Sequence, residues 1–236
     1  SPQQMFQYQT VAELAAVVEL GVAASAEQGI LTGPVSLTPI QRWFFDQSFD
    51  NPHHFNQAVM LEIRFQTDPN LLRRAWQQTI EHHDILRSRF SDSADGWQLL
   101  MEDPDPDGLD SVFCEVDLSH LSGEQQTTAL EDQAEQVQRS LNLQDGPLAH
   151  MSSVHLTTDN QRLLIVAHHS IIDGVSWRIL LEDLMAAYEQ LAHGSTVTLP
   201  SKTTSYREWS QRLQTYAESD DAAEQIDYWQ DVAAES

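Results

Sequence analysis

Gln161-Arg162-Leu163-Leu164-Ile165-Val166-Ala167-His168-His169-Ser170-Ile171-Ile172-Asp173-Gly174 is the stretch from which the fold is read. Residues 161–167 are of strand length and carry the apolar run 163–167, the pattern of a strand in the middle of a sheet. The run stops at two histidines and a short loop. A long amphipathic helix then follows from about Val175 to Ala192, with the stripe Trp177, Leu180, Leu181, Leu184, Ala187, Tyr188 and Leu191. Working back, Thr157-Thr158-Asp159-Asn160 is a polar turn, and 149–157 is the strand before it. Earlier still, Ser122 opens a helix carrying Leu130, Ala134, Val137 and Leu141, and short strands are expected at 56–65, 87–91, 97–101 and 112–117. Asp68-Pro69 and Thr38-Pro39 are helix starts with Pro at the first helical position. The second of these predicts a helix that buries Ile40, Trp43 and Phe44. Strands and helices are mixed without strict alternation, so the expected class is α+β.

The margins are simpler. Thr10-Val11-Ala12-Glu13 is a capping box opening a short helix with Val11, Leu14, Ala15 and Val18 on one side, ending at Gly21. Residues 22–34 have the composition of a flexible linker, and 201–236 are helical and polar, with Tyr206, Trp209, Leu213 and Tyr216 on one side.

Charge narrows the function. Twelve Lys and Arg against 36 Asp and Glu leave a net charge of −24 over 236 residues. No basic stripe can displace phosphate counterions, which argues against nucleic acid as a partner; no Lys/Arg cluster suits an anionic membrane. The apolar run at 163–167 falls far short of the roughly 20 residues a membrane helix needs. Cys114 is the only cysteine, so neither an internal disulfide nor a cysteine zinc cluster is available. The expected location is the cytoplasm.

Few residues then carry chemistry. Asp103-Pro104-Asp105-Pro106-Asp107-Gly108 imitates a calcium loop, but its twelfth residue is Cys114 rather than Glu, and it is read as an acidic turn. Three His-His pairs stand at 53–54, 82–83 and 168–169, none with a third ligand at metal spacing, so no metal is expected. His53-His54 is read as loop, and His82-His83 as a helix end where imidazolium suits the dipole. His168-His169 differs by its place, where a strand hands over to a helix and side chains enter clefts. One ring can face the core while the other faces the opening, and an imidazole suits general-base work. Asp173 can fix the loop or serve as a charge partner, and Gly174 permits a backbone angle other residues resist. Neither Ser170 nor Ser176 lies in a Gly-x-Ser-x-Gly elbow, which weakens a hydrolase. Trp43, Phe44, Trp76 and Trp177 are assigned to packing.

The segment 168–180, His-His-Ser-Ile-Ile-Asp-Gly-Val-Ser-Trp-Arg-Ile-Leu, resembles the His-His-x-x-x-Asp-Gly signature of condensation-type domains of nonribosomal peptide synthetases. Leu37-Thr38-Pro39-Ile40-Gln41-Arg42-Trp43-Phe44 resembles the family's opening motif, and His82-His83-Asp84-Ile85-Leu86-Arg87-Ser88-Arg89-Phe90 its His-Glu-x-Leu-Arg-x-x-Phe motif. Val175-Ser176-Trp177 and Ile40-Gln41-Arg42-Trp43-Phe44 are similar to epimerization domains rather than to peptide-bond-forming members. Residues 5–15 resemble the last helix of a peptidyl carrier protein, which precedes such domains.

The resemblance implies a chloramphenicol-acetyltransferase-like lobe, a mixed sheet flanked by helices, the first of two lobes with a tunnel between them. It divides the chain into the end of a carrier domain (1–21), a linker (22–34), the N-terminal lobe (35–200) and a helical segment leading to a second lobe (201–236). The implied activity is inversion at Cα of an aminoacyl or peptidyl thioester. No cofactor is bound directly; the substrate arrives on the phosphopantetheine of a carrier protein. The expected partners are that carrier, the second lobe and adjacent synthetase domains. His169 takes the catalytic acid/base role, paired with a glutamate of the second lobe, while His168, Asp173 and Gly174 support the site, Asp173 through an arginine. The alternatives are a condensation domain and a non-catalytic lobe that docks carriers.

Overall fold

The computed structural model describes residues 8–17, 26–65, 67–94, 96–105, 108–157 and 160–234. In chain order the elements are α1 (Val11–Val17), β1 (Gly33–Val35), α2 (Pro39–Asp46), β2 (Asn56–Ile63), α3 (Pro69–His82), β3 (Ser88–Ser93), β4 (Gly96–Met101), α4 (Leu109–Val112), β5 (Phe113–Asp117), α5 (Gly123–Arg139), β6 (Ala149–Thr157), β7 (Asn160–His168), α6 (Gly174–Ala192), α7 (Tyr206–Ala217), α8 (Asp220–Ala223) and α9 (Ile226–Ala234). The strands form two sheets, ordered β2-β7-β6-β5 and β1-β4-β3. The larger sheet is mixed: β7 is antiparallel to both neighbours, whereas β5 joins β6 in parallel.

β7 owes its central place to being apolar on both faces. Leu163, Ile165 and Ala167 belong to the main core with Leu72, Ala75 and Trp76 of α3 and Leu180, Leu184 and Ala187 of α6. Leu164 and Val166 belong to a second core with Val137 of α5 and Leu141. Period-two alternation therefore gives each half of the strand its own helix layer. Starts of several helices are fixed locally. The Asp68 carboxylate accepts from the Asn70 amide at 2.8 Å, and Ser205 Oγ accepts from the Glu208 amide at 3.1 Å. The Thr10 box forms in both directions, through Thr10 N–H to the Glu13 carboxylate and Glu13 N–H to Thr10 Oγ. The expected stop at Gly21 lies outside the described residues.

Two expectations change. The stretch 22–34 is not all linker: Leu31 is buried, and Gly33–Val35 pairs with β4 as strand β1. Its Gly and Pro hide this because β1 contributes chiefly backbone. In α2 the buried pair is Gln41 and Phe44, while Ile40 is 67% and Trp43 48% exposed. An eight-residue helix offers one narrow inward face, and Gln41 occupies it because its amide bonds Thr38 N–H and the Ser170 carbonyl.

The end of α3 is a buried ionic junction. The Asp84 carboxylate accepts from Leu31 N–H at 3.0 Å, from Arg87 Nη2 at 2.8 Å and from Lys202 Nζ at 2.9 Å. Arg87 also donates to the carbonyls of Leu31, Ile80, Glu81 and Glu102, so its fork is fully used. Burial opposes the charged form of Asp84, but the Leu31 amide, Arg87 and Lys202 together outweigh it and hold the carboxyl below its ordinary range. This junction fastens the segment before the lobe and the segment after α6 to one point. Asp84→Ala leaves the buried Arg87 and the half-buried Lys202 without their anion and is expected to lower the unfolding free energy by about 3–5 kcal/mol in urea titrations at neutral pH.

Candidate active site

β7 ends on His168, and the site is built from what happens to the next residue. His168 is fully buried. Its Nε2–H donates to the Pro52 carbonyl at 2.8 Å, and Nδ1 accepts from Ser170 Oγ–H at 2.7 Å. The ring meets Phe44 edge-on, with centroids 5.4 Å apart. Burial lowers its pKa to about 4 in spite of the Pro52 carbonyl, so the ring is neutral. Ser170 Oγ is thereby a loop-closing donor, and the third partner of that Ser–His contact is a peptide carbonyl instead of a carboxylate.

His169 emerges on the other side and is exposed. Its backbone N–H donates to the Phe55 carbonyl at 2.8 Å, and its ring stacks on Phe55 with centroids 5.4 Å apart. Nδ1 lies 2.8 Å from the Ile172 carbonyl. A carbonyl only accepts, so Nδ1 carries the hydrogen, and in the neutral ring Nε2 keeps its lone pair. Nε2 faces the Gln57 side-chain amide at 3.2 Å, and Gln57 Oε1 accepts from Trp177 Nε1–H at 2.7 Å.

Asp173 caps α6. One carboxylate oxygen accepts from Val175 N–H at 3.1 Å, from Ser176 N–H at 2.8 Å and from Ser176 Oγ–H at 2.7 Å. The Ser176 side chain and amide, followed by the Val175 amide, hold this carboxyl below its ordinary range against a small opposing effect of burial. The carboxylate thus caps the helix N-terminus through a single oxygen. Gly174 differs from expectation. It is not among the glycines with positive φ, and a Cβ placed on it would meet no heavy atom within 4 Å. The opening of the loop comes from the Asp173 cap, and Gly174 contributes only an absence of bulk at the first turn.

The His82-His83 pair has a partner that local spacing could not show. Asp183 of α6, a hundred residues on, bonds His83 Nε2 through Oδ2 at 2.8 Å. Their ligand atoms and those of His82 lie within 4.8 Å of one another. Burial is the leading cause lowering both imidazoles, so neutral rings stand where imidazolium was expected. The neighbouring Lys202 charge pushes them the same way, and the Asp183 contact serves to tie α3 to α6.

Gln57 and Asp183 are the polar residues that sequence reasoning missed. Gln57 does leave a trace, as a polar side chain on the strand face that packs towards α6.

A mixed sheet flanked by helices, with a buried-then-exposed His pair where its central strand meets a capped helix, defines a condensation-type α+β fold. The model of the condensation domain family matches residues 32–236, and the chain belongs to that family. It is 45% identical over 230 residues to a linear gramicidin synthase polypeptide of Brevibacillus parabrevis, covering 97% of this chain and 4% of that protein. It is 42% identical over 221 residues to chondramide synthase cmdD of Chondromyces crocatus, covering 93% and 6%. Among solved structures, the epimerization domain from the third module of tyrocidine synthetase B superposes with a TM-score of 0.82 at 37% identity, over 89% of this chain and 47% of that one. The starter condensation domain of rhizomide synthetase shares the fold, with a TM-score of 0.71 at 21% identity over 84% and 47%. The chain thus spans under a tenth of those synthases and about half of each solved domain. Among the described residues no helix is long and apolar enough to cross a membrane.

Two outcomes follow from the buried and exposed ends of the loop. The folded His168 ring stays neutral down to about pH 4, whereas an unfolded one takes its proton from 6.5 downward. Stability is therefore complete above about pH 6.5 and falls as pH drops towards 4, by about 3 kcal/mol for this ring. Urea titrations at stepped pH should show that fall, and His168→Asn should flatten it. Gly174→Ala should leave thermal stability unchanged or raise it by up to about 1 kcal/mol, read by calorimetry.

Proposed function

We propose that this chain is part of a nonribosomal peptide synthetase and forms half of an epimerization domain, inverting Cα of an aminoacyl or peptidyl thioester held on a carrier protein's phosphopantetheine. One observation carries the reading. His169 stands exposed at the end of the central strand with Nδ1–H tied to the Ile172 carbonyl, so Nε2 is the basic nitrogen of the neutral ring. The resemblance of Val175-Ser176-Trp177 to epimerization domains supports it, as does the likeness to the tyrocidine epimerization domain.

The chemistry fits the geometry. The Nε2 lone pair of His169 takes the α-proton and the ring becomes an imidazolium. The C–H electron pair passes into the thioester carbonyl as an enolate. An acid on the opposite face of Cα, expected from the glutamate of a second lobe, returns a proton there. His169 then releases its proton to solvent and the opposite acid takes one up, which restores both groups. The Ile172 carbonyl, already hydrogen-bonded to Nδ1–H, steadies the imidazolium. His168 and Asp173 keep their distance from the substrate: the first sets the strand end and the second the helix start. Positioned proton transfer supplies about 10²–10⁴-fold, with exclusion of water and enolate stabilisation supplying the remainder.

Condensation is the second reading, favoured by the fold shared with starter condensation domains. There the same Nε2 would assist an amine attacking the thioester. The synthetase carrying this chain, loaded with an L-aminoacyl thioester, separates the two. Hydrolysis should release the D-residue, and His169→Ala should slow its appearance by about 10²–10⁴-fold while carrier loading is unaffected. A new amide bond without inversion would overturn epimerization, and unchanged inversion in the variant would remove His169 from catalysis.

A further inference from the structure

The polar contact made by Nε2 of His169 has a single consistent donor pattern. Trp177 Nε1–H can only donate, so the Gln57 atom 2.7 Å from it is the carbonyl oxygen. The other end of the same amide is then the NH₂, and it lies 3.2 Å from His169 Nε2. An amide NH₂ can only donate, so Nε2 accepts. The Ile172 carbonyl demands the same tautomer from the opposite side of the ring, at Nδ1. Two independent partners thus agree on which nitrogen is bare.

The backbone explains why these groups meet. Gln57 pairs with Ala167 across β2 and β7, and directly opposed residues share a face. His169 is two residues beyond Ala167, so it continues on that face. Trp177 reaches the same place from the first turn of α6, where it is buried and Leu180 extends the same stripe into the core. Among the described residues, the titratable groups beside the ring include Asp173 on the loop and the neutral His168 behind it, with His53 next to His168. Asp173 is occupied with the α6 amides.

We infer that Gln57, aimed by Trp177, is a positioning residue that holds His169 as the Nδ1–H tautomer with Nε2 free to act as base. The amide is a resting partner for the lone pair: it keeps the ring aligned, is neutral, and yields Nε2 to the α-proton when substrate arrives. It also gives Trp177 a role beyond packing. The inference rests on the epimerization reading for its effect on turnover, but the tautomer itself is independent of it.

The tests separate the two. Nitrogen-15 NMR of histidine in the 236-residue chain should show His169 with Nδ1 protonated and Nε2 bare. Gln57→Glu places an acceptor at Nε2 while Ile172 still accepts at Nδ1, so the ring should become an imidazolium at neutral pH. In the synthetase carrying this chain, that variant should lower kcat about 10²-fold or more at neutral pH with KM for the loaded carrier unchanged. The acid limb of its pH profile should move up by about one to three pH units. Gln57→Leu and Trp177→Phe should each lower kcat about five- to tenfold, and the double variant no further, because both break one chain of contacts. A wild-type ring protonated at Nε2, nitrogen shifts in Gln57→Glu that match wild type, or additive losses in the double variant would overturn the relay. A wild-type synthetase that never inverts Cα, with the tautomer as described, would instead overturn the epimerization reading and leave the positioning intact.

Discussion

The His168 ring sits at the end of β7 with both nitrogens engaged, one donating to the Pro52 carbonyl and the other accepting from Ser170 Oγ. Because the ring is fully buried, neither bond is diluted by water. A strand alternates its side chains, so holding one residue inward compels the next to face the other way. His169 falls on the face of Ala167 one residue past the end of β7, where the sheet no longer covers it, and its backbone is held to β2 through the Phe55 carbonyl. The later parts of the site follow from that start: the ring docks on Ile172 and Gln57, and Asp173 opens α6 where the loop ends.

The frame around this site is joined at the end of α3. His83 bonds Asp183, tying α3 to α6, and Asp84 with Arg87 gathers Leu31 and Lys202. The motif that holds these residues ties elements of the fold together. It gathers the lobe's entering and leaving segments at one buried charge cluster, which is costly to break and specific in geometry. The 82–90 motif thus has an architectural role in this fold, and the 168–169 pair stands apart from it at the end of β7.

Much was legible from periodicity. The double-sided apolar run at 163–167, the stripe of α6, the strands and the Pro-started helices stand close to where their patterns put them. That the two rings of the 168–169 pair turn to opposite faces was legible too, from strand alternation. What could not be read were groups whose role is set by a distant partner. Gln41 and Asp183 are polar yet buried, and each is explained by a hydrogen bond across more than 90 residues. Trp43, apolar yet half exposed, is the converse: hydrophobic character alone does not say whether a short helix has a surface to bury against.

The order of residues by itself determined an acidic α+β lobe, its central strand, and the point where two imidazoles leave that strand for a helix. These depend on spacing along the chain, which fixes period, turn and cap. Tertiary structure alone decided which nitrogen of His169 is bare and that Gly33–Val35 is strand. Each of those depends on a donor or acceptor brought from elsewhere in the chain, and hydrogen-bond partners follow from proximity in space, which local pattern does not encode.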